Sequence, residues 1–175
     1  MQNTENTKNY SKFFPYSSIR DAQTEAIDFV LKAFLDEGKK FVILEAGVGK
    51  SAIGLTVARY LNYSMPLLID GFTDGGYFLT TQKILQEQYM KDFGSPNGKM
   101  KSIKSSSNYI CKFNKANTCA DSLRALKVTD KSSRFFKACA YGCVYKKAKE
   151  DFIASKEGVT NFAYFLAETQ YAGKL

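Results

Sequence analysis

One run constrains the fold more than any other: FVILEAGVGKS, residues 41–51. Its first five residues are short, apolar and β-branched, which predicts a buried strand. Apolar character on both faces predicts a parallel sheet. Gly47 and Gly49 follow, then Lys50-Ser51 and a helix predicted over 51–61, with Ile53, Leu55, Val57, Ala58 and Leu61 inward. Strand, glycine loop and helix make half of a βαβ unit, so the fold class is α/β. The same run has the chemistry of a phosphate loop. Glycines let backbone N–H groups approach phosphate oxygens, and a helix N-terminus favours the anion. Lys50 would reach the β/γ-phosphates and the Ser51 hydroxyl would hold Mg²⁺. Leu44 stands where the full G-x-x-x-x-G-K-[ST] pattern has glycine, so the match is G-x-G-K-S. A chance GKS at a strand–helix turn is the bland reading.

Around that run the periodicities place further elements. Residues 1–12 read as a polar tail. A helix is predicted over 21–37, with Ser18 as its N-cap and Gly38 as its stop. MPLLID (65–70) reads as loop with a short strand, GYFLTT (76–81) as a strand, and residues 82–93 as a helix burying Ile84, Leu85, Tyr89 and Phe93. MKSIK (100–104) reads as a third strand and 105–138 as irregular. A helix is expected over 132–154, then a short GVTN strand and a final helix start at FAYFLAE.

The 175 residues carry a net charge of +8, and its distribution says more than its size. Residues 81–150 hold 15 Lys and Arg against 5 Asp and Glu; the remainder holds 10 against 12. A basic block of this kind fits a polyanion partner, most simply nucleic acid, with a solvated lysine-rich face as the alternative. Tyr109, Phe113, Phe135, Phe136, Tyr141 and Tyr145 interleave with the lysines there, and aromatics among cations can stack single-stranded bases or pack the segment's own core. No apolar run approaches the roughly 18 residues of a membrane helix. The N-terminus lacks the apolar stretch of a secretory signal, so a cytoplasmic chain is expected.

Two absences and one cluster narrow the chemistry. There is no His and no Trp, which excludes histidine-based dyads, triads and zinc sites. The four cysteines, Cys111, Cys119, Cys139 and Cys143, all fall in the basic segment. In an intracellular chain four thiols read as a metal or cluster site more readily than as disulfides. Their spacing is not C-x-x-C…C-x-x-C, so a zinc ribbon fits less well. Zinc, an iron–sulfur cluster and free thiols remain open on the residues alone. Buried inert cysteines fit Cys139 and Cys143 best, because i and i+4 share a helical face.

Taken in order, these segments resemble one family, the iron–sulfur DNA helicases of superfamily 2 (the XPD/DinG family). IRDAQ (19–23) resembles its Q motif, LEAGVGKS its motif I and LTTQKILQEQYMKDF its motif Ia. SNYICKFN (107–114) is similar to its Ser-Asn-Tyr-x-Cys signature, and CVYKKAKEDFIASKEGVTNFAYFLAE to the stretch after its last cluster cysteine. The resemblance covers roughly residues 14–172. It implies a partial RecA-like domain, a parallel sheet with flanking helices, carrying a helical four-cysteine iron–sulfur insertion. Residues 1–12 would be a tail, 13–102 and 151–175 the RecA-like parts, and 103–150 the insertion. It implies ATP and Mg²⁺ held by Arg20, Gln23, Gly47, Val48, Gly49, Lys50 and Ser51, with Gln23 reading the adenine edge and Lys50 and Ser51 serving catalysis. It implies a [4Fe–4S] cluster on Cys111, Cys119, Cys139 and Cys143, with Zn²⁺ as the alternative. Single-stranded or forked DNA would be the partner, met by Thr80, Thr81, Gln86, Lys104 and Tyr109, and the protein would act as a monomer away from membranes.

Three departures from the family pattern shape the alternatives. Glu45-Ala46 runs directly into Gly47, so the phosphate loop is two residues short. No DEAH box is present; family order places it just after GKL at the C-terminus. The second motor domain is also absent. The chain is therefore expected to be the N-terminal part of a longer helicase, inactive alone for want of the acidic Mg²⁺ ligand. The alternatives are a non-catalytic DNA-binding module with a remnant phosphate loop, and a small P-loop enzyme with a four-cysteine zinc knot and Asp70 as its acidic ligand.

Overall fold

The computed structural model describes residues 7–45, 47, 49–64, 75–94, 98–114 and 117–172. The chain divides into two compact units, residues 1–76 and 77–175. The expected strand at 65–70, with Asp70, lies outside the described residues, as does Val48.

The first unit is helical. A 3₁₀ helix, Thr7–Phe13, leads to α1 (Asp21–Leu35) and α2 (Lys50–Ser64). The tail expected over 1–12 is thus ordered from residue 7. Tyr10 and Phe14 are buried with Ile27, Val30 and Leu31 of α1 and Ala52, Ile53, Val57 and Tyr60 of α2. Aromatic spacing drives this: Tyr10 and Phe13 both meet the Tyr60 ring edge-on, with centroids 6.3 and 6.2 Å away. The cap of α1 is Arg20 rather than Ser18, because the Gln23 side chain reaches back and its Oε1 accepts from the Arg20 N–H at 3.1 Å. Gly38, at φ 63°, closes the helix: Lys39 N–H donates to Ala33 O at 2.9 Å.

The expected strand at 41–45 does not form. Val42 and Leu44 pack against the helical core, while Phe41 and Ile43 are 88% and 96% exposed. Burial therefore alternates with a period of two, as for a segment covered on one face only. A two-sided strand needs ladder partners, and among the described residues of this unit there are none.

The second unit holds the sheet. β1 (Gly76–Thr80), β2 (Met100–Ser102) and β3 (Glu157–Asn161) pair in the order β1-β3-β2, with β2 and β3 parallel. Met100 opposes Glu157 and Ser102 opposes Val159. Central β3 is buried along four of its five residues. Gly158 is required there: a Cβ would come within 2.8 Å of the rings of Phe152 and Tyr77. Three of the expected strands are therefore present, and the chain is α/β with a small sheet and flanking helices.

Helix α3 (Lys83–Phe93) forms where expected but turns a different residue inward. Ile84 and Leu85 are exposed, and Gln86 is the buried one. The segment read as irregular contains α4 (Cys119–Ala125), and the single helix expected over 132–154 is two, α5 (Arg134–Gly142) and α6 (Val144–Ile153), broken at Cys143. α7 (Phe162–Leu166) runs into a π-helical turn, Ala167–Ala172. A small core of Ile103, Phe152 and Tyr164 joins α6 and α7 to the sheet.

Candidate functional site

The four cysteines come from the bridge at Ile110, the start of α4, the interior of α5 and the α5–α6 joint, and all four are buried near one another. An isolated antiparallel bridge pairs Ile110 with Thr118. Cys111 N–H donates to Asn117 O at 3.0 Å and Cys119 N–H to Tyr109 O at 2.7 Å. This closes the loop between the two and brings their side chains side by side. Thr118 then caps α4: its hydroxyl accepts from Asp121 N–H, and the Asp121 carboxylate accepts from Thr118 N–H at 3.1 Å. Ser133 caps α5, accepting from Phe136 N–H at 3.1 Å, and so sets the register that carries Cys139 inward. Cys143, extended at φ −66°, ψ 119°, ends α5 and begins α6.

All four are between 1% and 6% exposed. Cys111, Cys119 and Cys143 share one cluster, bordered by Tyr109, Val144 and Tyr145. Cys139 is within hydrogen-bond reach of Cys111, Cys119 within reach of Cys143, and Cys139 also feels Cys143 electrostatically. None forms a disulfide. Burial pushes the Cys119 thiol up to about 11 and raises Cys139. Cys111 is lowered: burial acts to raise it, but the Ser122 hydroxyl and the backbone N–H groups of Phe113 and Asn114 face its sulfur and together prevail. The Tyr145 N–H, in the first turn of α6, faces Cys119.

This donor set is sulfur only and enclosed, with backbone N–H groups facing it. Those are the properties of a centre that binds soft metals through sulfur. Among the described residues, no group of three or more His, Cys, Asp or Glu side chains stands in an arrangement that could hold a metal ion. The sequence reading missed Ser122 and the two N–H groups. The signal for Ser122 was present: Thr118-x-x-Asp121 is a capping box, and the helix it starts puts Ser122 one turn from Cys119.

A polar chain borders the centre. Tyr164 OH meets Tyr145 OH at 2.9 Å, Tyr145 OH donates to Glu168 Oε1 at 3.3 Å, and Lys149 pairs with Glu168. The Tyr109 and Tyr145 rings tilt together at 5.6 Å.

In the first unit, the structure brings together two residues that the sequence places 26 apart. Gly49 sits at φ 86°, and Gln23 Nε2 fills the space where its side chain would be. The amide oxygen of Gln23 serves Arg20, so the side chain ties the start of α1 to the glycine loop at Gly49. Lys50 is the first residue of α2, and its Nζ donates to Gly47 O at 3.5 Å. Ser51 follows in the first turn of the helix.

The residues expected to meet DNA are dispersed. Thr81 is exposed. Thr80 is buried, its hydroxyl donating to Gln82 O at 3.0 Å. Gln86 is wholly buried, its Nε2 donating to Ser102 Oγ and Ile103 O, both at 2.7 Å, and to Val159 O at 3.2 Å. That amide braces the sheet from inside the unit. Lys104 pairs with Glu87, and its N–H donates to Tyr109 OH at 3.4 Å.

No protein-family model matches the chain, and no curated protein or solved structure is significantly similar to it.

Proposed function

We propose that this chain is the nucleotide-binding and metal-bearing part of an ATP-dependent DNA helicase of the iron–sulfur kind, one that travels on single-stranded DNA and opens the duplex. The single observation behind this reading is the convergence of four buried thiols within the basic segment. Cys111, Cys119, Cys139 and Cys143 would hold a [4Fe–4S] cluster, which supplies a rigid cross-link between α4, α5 and α6. The chain's own residues do the rest. Lys50 and Ser51 at the start of α2 meet the phosphates and Mg²⁺, Gln23 holds the loop glycine in place, and the lysines around the centre attract the DNA backbone. The small three-stranded sheet with flanking helices in the second unit is compatible with part of a RecA-like domain. No helix among the described residues is long and apolar enough to cross a membrane.

The test is anaerobic purification followed by a visible spectrum with iron and sulfide counts. About four iron and four sulfide per chain, lost on Cys111→Ser, support the reading. A colourless protein with about one zinc per chain, kept anaerobic throughout, overturns the iron–sulfur assignment.

A second reading, a DNA-binding module with a remnant phosphate loop, is favoured by the unpaired segment at 41–45, which leaves the loop without a strand behind it. Titration with a fluorescent ATP analogue separates the two. Micromolar binding abolished by Lys50→Ala sinks the remnant idea; no binding by the intact chain sinks the motor.

A further inference from the structure

Among the described residues of the first unit, Phe41 and Ile43 are the most exposed apolar side chains, at 88% and 96%. Val42 and Leu44, which alternate with them, pack against the helical core. One face of residues 41–45 is thus anchored and the other lies open, the pattern of a strand at the edge of a sheet. The neighbouring strand is missing. No backbone N–H or C=O of these five residues finds a partner among the described residues. Lys39, tied by its N–H to Ala33 O, leads into the segment with Lys40, and Glu45 ends it; all three are exposed. Open apolar surface and unpaired main chain in one short segment are what strand addition between chains uses.

We propose that this segment pairs with the same segment of a second copy of the chain, antiparallel about a two-fold axis at Val42. The register follows from polarity and charge. Opposed side chains share a face, so only registers that set odd numbers against odd keep Phe41 and Ile43 outward in both copies. A pair centred on Val42 sets Phe41 against Ile43 of the second copy and Lys39 against its Glu45, each twice by symmetry. A two-residue slip one way sets Phe41 against Glu45; the other way it sets Glu37 against Glu45. In-register parallel pairing stacks Lys39 on Lys39 and Glu45 on Glu45. Like charges directly opposed are unfavourable and opposite ones favourable. Of these arrangements, the pair centred on Val42 satisfies the apolar and the charged positions together. The interface is small, so the dimer is a weak one that forms as concentration rises. It needs neither metal nor nucleotide, and it departs from the monomer that the family resemblance implies.

The experiment is sedimentation velocity of the full chain from micromolar to submillimolar concentration. Wild type is run beside Lys39→Glu, Lys39→Glu combined with Glu45→Lys, and Ile43→Pro. Ile43 is exposed and its backbone makes no hydrogen bond among the described residues, so proline there is expected to leave the fold in place, which helical circular dichroism checks. The expected result is a reversible monomer–dimer equilibrium, weakened roughly tenfold by Lys39→Glu, restored by the double exchange and lost in Ile43→Pro. A wild-type chain that stays monomeric throughout overturns the proposal. So does a dimer indifferent to Ile43→Pro, which must form elsewhere on the chain. A dimer lost in Ile43→Pro but unmoved by the charge exchange overturns the register. If Ile43→Pro misfolds, the charge exchange decides by itself, because both positions are exposed and tolerate either charge.

Discussion

Gln86 Nε2 stands 2.7 Å from the carbonyl oxygen of Ile103, which also accepts from Thr160 Oγ1 at 2.8 Å. Helix α3 and strand β3 thus converge on one backbone atom just past β2. The amide also serves Val159 O, on the opposite strand. Gln86→Leu keeps the volume but strips a donor from each of two buried carbonyls and from the Ser102 hydroxyl; Ile103 O keeps Thr160 Oγ1 and Val159 O keeps the Ile103 N–H. The expected cost is about 2–3 kcal/mol, read as a lower urea midpoint at constant slope. A change below about 0.5 kcal/mol would mean that water reaches these carbonyls and the brace is dispensable.

Gly49 is closed to any side chain twice over, by its φ of 86° and by the Gln23 amide. Gly49→Ala is expected to lose roughly 1–3 kcal/mol. In a Gln23→Ala background the same change should cost less, since only the backbone term remains. Equal costs in the two backgrounds would show that Gln23 does not press on the loop.

Thr118 begins α4 and orients Cys119 and Ser122 together. Thr118→Ala removes a capping box and is expected to cost about 1 kcal/mol. Because it lets the first turn fray, reconstituted protein should also release iron to a chelator roughly tenfold faster. Unchanged iron release beside a measurable loss of stability would detach the cap from the centre.

Four tyrosines make the protein sensitive to alkali. Burial, helped by the Asp28 carboxylate, pushes Tyr10 up to about 12; burial first of all also raises Tyr109, Tyr145 and Tyr164. Each neutral phenol is favoured in the fold. The stability this gives is whole below the unfolded value near 10 and is lost as pH climbs through the raised one. A tyrosinate absorbance titration should show an early group and a late group that appears together with unfolding. Simultaneous ionisation of all eleven tyrosines with the fold intact would refute it.

The elements with strong helical period were legible: α1, α2 and α3 stand within a few residues of where their apolar spacing put them. So were β1, β2 and β3, bounded by glycine and polar turns. Phe41 to Glu45 misled because apolarity alone cannot tell a strand buried on two faces from a segment pressed on one; only pairing decides. The break at Cys143 was signalled only by Gly142; a lone glycine is tolerated within a helical pattern, and no proline marks the joint. Gln86 was read as a DNA contact through the resemblance, and a glutamine gives no sign of burial by itself. Its burial depends on carbonyls of Ile103 and Val159, which are distant in sequence. Of the candidate centre, the four cysteines were visible as a set. Their inequality was not, because it arises from backbone N–H groups that every residue carries.

The elbow at Cys143 has a practical corollary. Two helices meet there with their joint fastened by sulfur side chains, and Lys146 and Lys147 lie exposed just beyond it. A protease that cuts after lysine needs several residues of unwound chain to grip. With the sulfurs engaged, α6 stays wound and the bonds are withheld. Stripped of metal, the elbow becomes the cheapest place in the segment to open. On the proposed metal-centre reading, digestion rate at these two lysines would gauge how many molecules in a sample hold a metal, without recourse to colour.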